Sequence, residues 1–283
     1  MTMPRSDRAS RTPENGDMDL PEPSVMELFD LSGRAALVTG GSGHLGGAIA
    51  RGLAEAGARV AVSSRDLARA ERAADALPPV PAGGHVGVAL DHEDEESLAA
   101  AVNVAVERMG RLDVLVNNAH QPLGKDWRDV TPQEFTRQLA NATSYFSLAR
   151  RFRDHVVGRE GHGSLILVGS MYGSVGSYPD AYEGIGPASP VAYQVLKGGI
   201  AQMARHLAVY WARDGVRVNC LSPGPFPADG APPQLVARLS TRSPMGRIGT
   251  PVEIKGAAVF LASAAGSYVT GQNLLVDGGW TAW

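Results

Sequence analysis

Tyr193 and Lys197 stand four residues apart in Tyr193-Gln194-Val195-Leu196-Lys197, inside a segment from Pro190 to Ala212 whose apolar residues recur at helical spacing. Residues four apart share one helix face, so the phenol and the ammonium point the same way. A nearby positive charge favours phenolate over phenol and would turn a weak base into a usable one. The chain has seven tyrosines and only three lysines in 283 residues, so chance rarely produces this spacing. The plain alternative is a surface lysine beside a half-buried tyrosine. What separates the two readings is whether other chemistry converges on the pair.

The elements that would bring it there alternate from Arg34 onward. Strand-like runs are Ala35-Ala36-Leu37-Val38, Val60-Ala61-Val62, Val86 to Leu90, Leu112 to Val116, Ser164 to Val168, Val216 to Leu221 and Asn273 to Val276. Helix-like segments lie between them: Leu45 to Ala56, Leu67 to Leu77, an acidic start at Asp91 to Glu96, Pro132 to about Val157, the Tyr–Lys segment, and two more after a Pro-rich loop. Apolar strands alternating with helices predict an α/β fold, a doubly wound parallel sheet with helices on both faces. No internal linker or repeat interrupts it. One domain is expected over 31–283, after a tail over 1–30 expected to be disordered from its Pro, Arg, Asp, Glu and Ser content. In such sheets ligands bind outside the carboxyl ends of the strands.

Those ends carry the other chemical groups. After the first strand comes Thr39-Gly40-Gly41-Ser42-Gly43-His44-Leu45-Gly46. A glycine-rich turn between strand and helix lets backbone N–H groups approach phosphates, with the helix dipole favouring the anion. The second strand ends in Ser63-Ser64-Arg65, where an adenosine ribose would lie. Arg65 and the hydroxyls of Ser63 and Ser64 suit a 2′-phosphate and favour NADP(H) over NAD(H), though a solvated Arg65 paired with Asp66 would look the same. The fourth strand runs into Asn117-Asn118-Ala119-His120, and the fifth into Gly169-Ser170, which puts a hydroxyl on the edge that Tyr193 would share.

Composition narrows the field. Hydrophobic residues make up 44% and charged residues 19%, with a net charge of −3, which gives no electrostatic reason to expect nucleic acid or a membrane surface as partner. The single Cys220 excludes an intrachain disulfide and a cysteine-rich metal site, and no metal is expected. No stretch has the roughly 18 apolar residues of a membrane span, and the first residues lack a secretory apolar region, so a cytoplasmic location is expected.

Taken together, these motifs resemble the short-chain dehydrogenase/reductase family in its compact single-domain, Rossmann-fold form. The resemblance covers nearly everything after residue 31 and rests on the Thr39–Gly46 loop, Asn117-Asn118-Ala119, Asn141, Ser170, Tyr193 with Lys197, Asn219 with Pro223-Gly224, and Thr270 through Gly279. It implies that Tyr193 is the general acid/base for a carbonyl–alcohol pair, that Ser170 orients the substrate oxygen, and that Lys197 supplies charge and holds the nicotinamide ribose. It further implies that Asn141 holds a water in a proton relay, that Asp91 contacts the adenine, and that Pro223 and Gly224 lie against the nicotinamide. Gly40, Ser42, Gly43, His44, Leu45, Gly46, Ser64, Arg65, Asn118 and Ala119 complete the expected cofactor site.

The chain departs from the family pattern in three places. His44 replaces the middle glycine of the loop, where Gly43 is the compensating neighbour, and a basic residue often found there is missing. His120 replaces the glycine after Asn-Asn-Ala; it is either a packing histidine or a wall of the substrate pocket. The segment Pro225-Phe226-Pro227-Ala228 lacks the threonine that commonly reaches the carboxamide. A long Tyr-rich stretch precedes Tyr193, so His120, Met171, Tyr172, Tyr182 and Phe226 are the expected substrate pocket. Met171-Tyr172-Gly173 with Tyr182-Glu183-Gly184 is similar to a subgroup associated with surface-sugar and nonulosonic-acid pathways, which suggests a polar, sugar-like substrate. The expected protein is an NAD(P)-dependent alcohol dehydrogenase or ketoreductase acting on a small molecule. The alternatives are a dinucleotide-binding regulatory or scaffold protein without turnover, or a lyase or epimerase on the same fold. Two long helices and an aromatic tail, Trp280 and Trp283, offer apolar surface for a homo-oligomer, a tetramer or dimer.

Overall fold

The computed structural model describes residues 22–125 and 127–283. Seven parallel strands form one sheet in the order β3-β2-β1-β4-β5-β6-β7. They are β1 (Ala35–Val38), β2 (Arg59–Ser64), β3 (Val86–Ala89), β4 (Val114–Asn117), β5 (Gly163–Val168), β6 (Val216–Pro223) and β7 (Asn273–Val276). The order reverses direction between β1 and β4, which makes the crevice at their carboxyl ends the expected place for a ligand.

The strands read as unbroken apolar runs because both faces are covered. On β1, Ala35 and Leu37 face one core while Ala36 and Val38 face the other. The first core packs under α4 (Glu95–Met109), α5 (Pro132–Gly158) and α7 (Val191–Trp211). The second packs under α2 (His44–Glu55) and α9 (Lys255–Ala262). This is the three-layer doubly wound arrangement that the alternation of elements predicts.

Local signals fix the helix ends. Thr131 and Glu134 form a reciprocal capping box at the start of α5, with Pro132 in its first turn, and Gly110 ends α4 in the left-handed region at φ 79°. The acidic run at 91–96 does not start a helix at Asp91. Asp94 is the N-cap and α4 begins at Glu95, because the Asp94 side chain accepts from Glu96 N. Asp91 is thereby left in the turn after β3.

The tail expected over 1–30 also ends sooner than its composition suggests. Val25–Phe29 form a short helix, α1, closed by a Ser24–Glu27 capping box, and Phe29 packs on Phe260. The rest of that expectation, 1–21, lies outside the described residues. α3 (Leu67–Asp75), α6 (Pro179–Tyr182) and α8 (Pro233–Arg242) complete the helices. A third, smaller apolar cluster ties the Tyr-rich segment to the C-terminus: Met171, Tyr172, Ala181 and Leu239 bury Trp280 to 1% exposure. Trp280 is therefore core, and of the expected aromatic tail only Trp283 is exposed.

Candidate active site

A cleft of about 510 Å³ opens at the carboxyl ends of β1 to β4. It gathers Gly40, Ser42, Gly43, His44, Leu45, Gly46, Ser64, Arg65, Asp91, Asn118, Ala119, His120 and Phe226, which the sequence had marked separately. Ser63 lines it too, its hydroxyl accepting from Gly40 N at 3.2 Å, and so do Arg69, His92 and Gln121, which the sequence reading missed.

The first loop is built for close approach. Gly40 adopts φ +61°, and Gly43, an exposed residue, is the N-cap of α2 with no side chain closing it. The first N–H groups of α2 are thus free to meet an anion. A Cβ on Gly46 would lie 2.7 Å from Asn118 Nδ2 and 2.9 Å from the Gly40 carbonyl carbon, so no side chain fits there. His44 begins α2 with its Nε2 buried and, among the described residues, without a partner. This loop fits the diphosphate of a dinucleotide, with Gly43 taking the open position.

The fourth strand is locked to the first loop. The Thr39 hydroxyl accepts from Asn118 N at 2.8 Å and from Ala119 N at 2.9 Å, while Asn118 Nδ2 donates to Thr39 O at 2.9 Å. At the tip of β2, Asp66 caps α3 by accepting from Arg69 N at 3.2 Å rather than serving Arg65. Arg69 Nη2 donates to Ser42 O at 3.2 Å, which brings a second guanidinium to the tip. Its sequence signal was only its place in the first turn of α3; the fold supplies the proximity. Asp91 accepts from Glu93 N at 3.0 Å and holds the turn beside the cleft.

Ser170, Tyr193 and Lys197 meet just past β5. Ser170 stands two residues past the end of the strand; its hydroxyl accepts from Tyr172 N at 3.1 Å and hydrogen-bonds the Tyr193 phenol. Lys197 is buried at 2% exposure and donates to Val168 O at 2.8 Å. Its Nζ sits 5.6 Å from the ring centroids of both Tyr145 and Tyr193.

The electrostatics differ from the expectation. Lys197 does not bring the Tyr193 phenol down: burial pushes it above its ordinary value, opposed by the Ser170 bond. Burial also lowers Lys197, to about 8. Desolvation disfavours both charged forms, and the ammonium is directed at a carbonyl rather than at the phenol oxygen. At neutral pH the site therefore holds a protonated phenol beside a mostly charged lysine. That is a proton donor ready for a carbonyl oxygen, and alcohol oxidation requires the reverse.

Asn141 is brought to the site, but its side chain is occupied. Its Oδ1 accepts from Gln121 N at 2.7 Å and its Nδ2 donates to Gln138 O at 2.8 Å. The amide thereby clamps the segment after β4. Gly224 closes the end of β6, where a Cβ would meet Asp277 Cα at 2.5 Å, and Pro223 pairs with Val276. Neither residue lines this cleft.

Of the expected substrate pocket, His120 and Phe226 line the cleft. The His120 ring lies 5.7 Å from the Tyr193 ring. Met171 and Tyr172 are buried in the third cluster instead, and the Tyr172 hydroxyl bonds the Tyr182 hydroxyl at 2.8 Å. The Tyr-rich segment is docked on α8: Arg238 donates to Glu183 O at 2.6 Å, and Arg242 pairs with Asp180 and covers the Tyr178 ring. These residues build the wall behind Tyr193.

Comparison with known proteins agrees with this geometry. A family model described as Enoyl-(Acyl carrier protein) reductase matches residues 42–281. Galactitol 2-dehydrogenase (L-tagatose-forming) of Cereibacter sphaeroides is 36% identical over 269 residues, spanning 90% of this chain and 98% of that protein. A short-chain type dehydrogenase/reductase from Mycobacterium marinum superposes with a TM-score of 0.82 at 31% identity, covering 92% of this chain and 100% of the other. A gluconate 5-dehydrogenase from Burkholderia cenocepacia J2315, solved in complex with NADP and tartrate, gives 0.81 at 30% identity with the same coverage of 92% and 100%. The glycine cradle, the Ser–Tyr–Lys group and these full-length matches lead to one conclusion: the chain belongs to the short-chain dehydrogenase/reductase family and is an NAD(P)-dependent oxidoreductase of alcohol–carbonyl pairs.

Proposed function

We propose that this chain interconverts a secondary alcohol and its ketone on a sugar-like polyol, with NADP(H) as the preferred cofactor. The observation that carries the reading is the Ser170–Tyr193 hydroxyl pair beside Lys197, set against His120, which lines the glycine-cradled cleft. In the reducing direction Ser170 orients the carbonyl oxygen and the Tyr193 phenol delivers a proton to it. In the oxidising direction the phenolate takes the hydroxyl proton. The bound nicotinamide supplies the hydride exchange. Lys197 would hold the nicotinamide ribose, Asp91 the adenine, and the Gly40–Gly46 loop the diphosphate. A sugar-like substrate is supported by relatives named as galactitol and gluconate dehydrogenases.

Arg65 and Arg69 carry the cofactor preference. Both line the cleft at the β2 tip, where a guanidinium suits a phosphate. The reading is tested by following oxidation of a linear hexitol with NADP⁺ or NAD⁺, in the wild type and in Arg65→Ala. The expected result is turnover favouring NADP⁺, with NADPH affinity falling about tenfold in the variant, roughly 1.4 kcal/mol, and NADH affinity unchanged. An unchanged preference in Arg65→Ala and in Arg65→Ala/Arg69→Ala overturns the assignment.

We also propose a homo-oligomer. Phe146 and Val157 on α5 and Val195, Val209 and Tyr210 on α7 are exposed on helices that pack side by side. Light scattering should give a dimer or tetramer mass; a monomer contradicts it.

A further inference from the structure

His120 is the side chain of the cleft that stands against the reacting phenol. It follows Asn117-Asn118-Ala119 at the end of β4. The ring is half-buried, tilted 49° to the Tyr193 ring at 5.7 Å, and lines the cleft together with Gln121 and Phe226. The segment that carries it is held from both sides. Thr39 Oγ1 fixes Ala119 N, and the Asn141 amide fixes Gln121 N.

Its hydrogen bonding is polarised. The imidazole bonds to the Asn118 backbone, whose carbonyl can only accept, so one ring nitrogen is committed as donor. A neutral imidazole with one N–H so used presents a lone pair at the other nitrogen. The ring also remains neutral, because burial, Lys197 and His92 hold it down to about 3. The neutral ring therefore offers one acceptor nitrogen beside Tyr193. It does not present a cation.

We infer that His120 determines specificity by accepting a hydrogen bond from a hydroxyl on the carbon next to the one that reacts, so that neutral vicinal polyols are taken in preference to simple secondary alcohols and to substrates bearing a carboxylate there. This rests on the oxidoreductase reading above. A hydroxyl can donate to the lone pair. A methylene leaves the acceptor unpaired, and a carboxylate sets its own lone pairs against it. His120 acts here as a substrate-positioning group, while the proton transfer stays with Tyr193.

The test compares butane-2,3-diol, butan-2-ol and lactate as substrates with NADP⁺, in wild type, His120→Leu and His120→Gln, alongside calorimetric NADPH affinity. The wild type should favour the diol over both others. His120→Leu should lower the ratio of kcat/KM for the diol to that for butan-2-ol by about 10- to 100-fold, the loss lying in the KM for the diol. His120→Gln keeps an acceptor and should recover most of that ratio, and the NADPH affinities separate this effect from one on the cofactor. Equal losses on diol and butan-2-ol, or a wild-type preference for lactate, overturn the inference and leave the oxidoreductase reading standing. If the wild type turns over none of these nor a hexitol, both fall.

Discussion

Tyr193→Phe lowers kcat by about 10²- to 10⁴-fold in either direction, the contribution typical of a positioned proton-transfer group. Its melting temperature and dinucleotide affinity stay close to those of the wild type. The substitution removes one hydroxyl and keeps the ring, and it is the ring that packs on His120 and the third apolar cluster. Ser170 keeps its bond from Tyr172 N, so the loop past β5 is undisturbed. The wild-type pH profile should carry the same signature. Burial raises the phenol, so carbonyl reduction keeps its proton donor throughout the neutral range. Alcohol oxidation needs the phenolate and should accelerate as pH rises. Steady-state kinetics of Tyr193→Phe in both directions check this; activity within a few-fold of wild type would place the proton transfer elsewhere.

Gly46→Ala should cost about 1–3 kcal/mol of stability and at least a tenfold loss of dinucleotide affinity. The new methyl would lie 2.7 Å from Asn118 Nδ2, which is itself tied to Thr39 O, and against the Gly40 carbonyl. No flexible side-chain end is there to move aside, so the loop must open at the place where phosphate oxygens would approach. Gly256→Ala is the matched control. It sits exposed on α9 with nothing within 4 Å of the added Cβ, and alanine there should gain up to about 1 kcal/mol from helix propensity. Thermal melts and calorimetry on the two variants separate the effects. Equal behaviour would mean that Gly46 is not a contact point.

The sheet is legible in the sequence because strands covered on both faces leave no room for polar residues, as Ala35 to Val38 show. The Tyr193–Lys197 pair is legible because spacing along one helix is a local property. What lies across elements is not. Arg69 looks like any helical arginine until α3 sets it beside Ser42. His92, stacked on Tyr145 5.9 Å away, depends on α5 packing over β4 and β5 beside the turn after β3. Trp280 reads as tail because nothing local announces that the Tyr-rich segment and α8 will enclose it. The charge on Lys197 is the sharpest case. Its sequence position fixes which face it shares, but desolvation and the Val168 carbonyl decide what it does to the phenol.

Dinucleotide binding and polyol turnover at one site can be followed in a single experiment: titrate the purified chain with NADP⁺ by calorimetry, then add a linear hexitol and follow absorbance at the reduced-nicotinamide band. Saturable binding followed by a steady rise in absorbance is the predicted result. Saturable binding with no rise across hexitols and simpler secondary alcohols would contradict turnover at this site, and would leave a dinucleotide-binding protein whose Ser170, Tyr193 and Lys197 no longer turn over substrate.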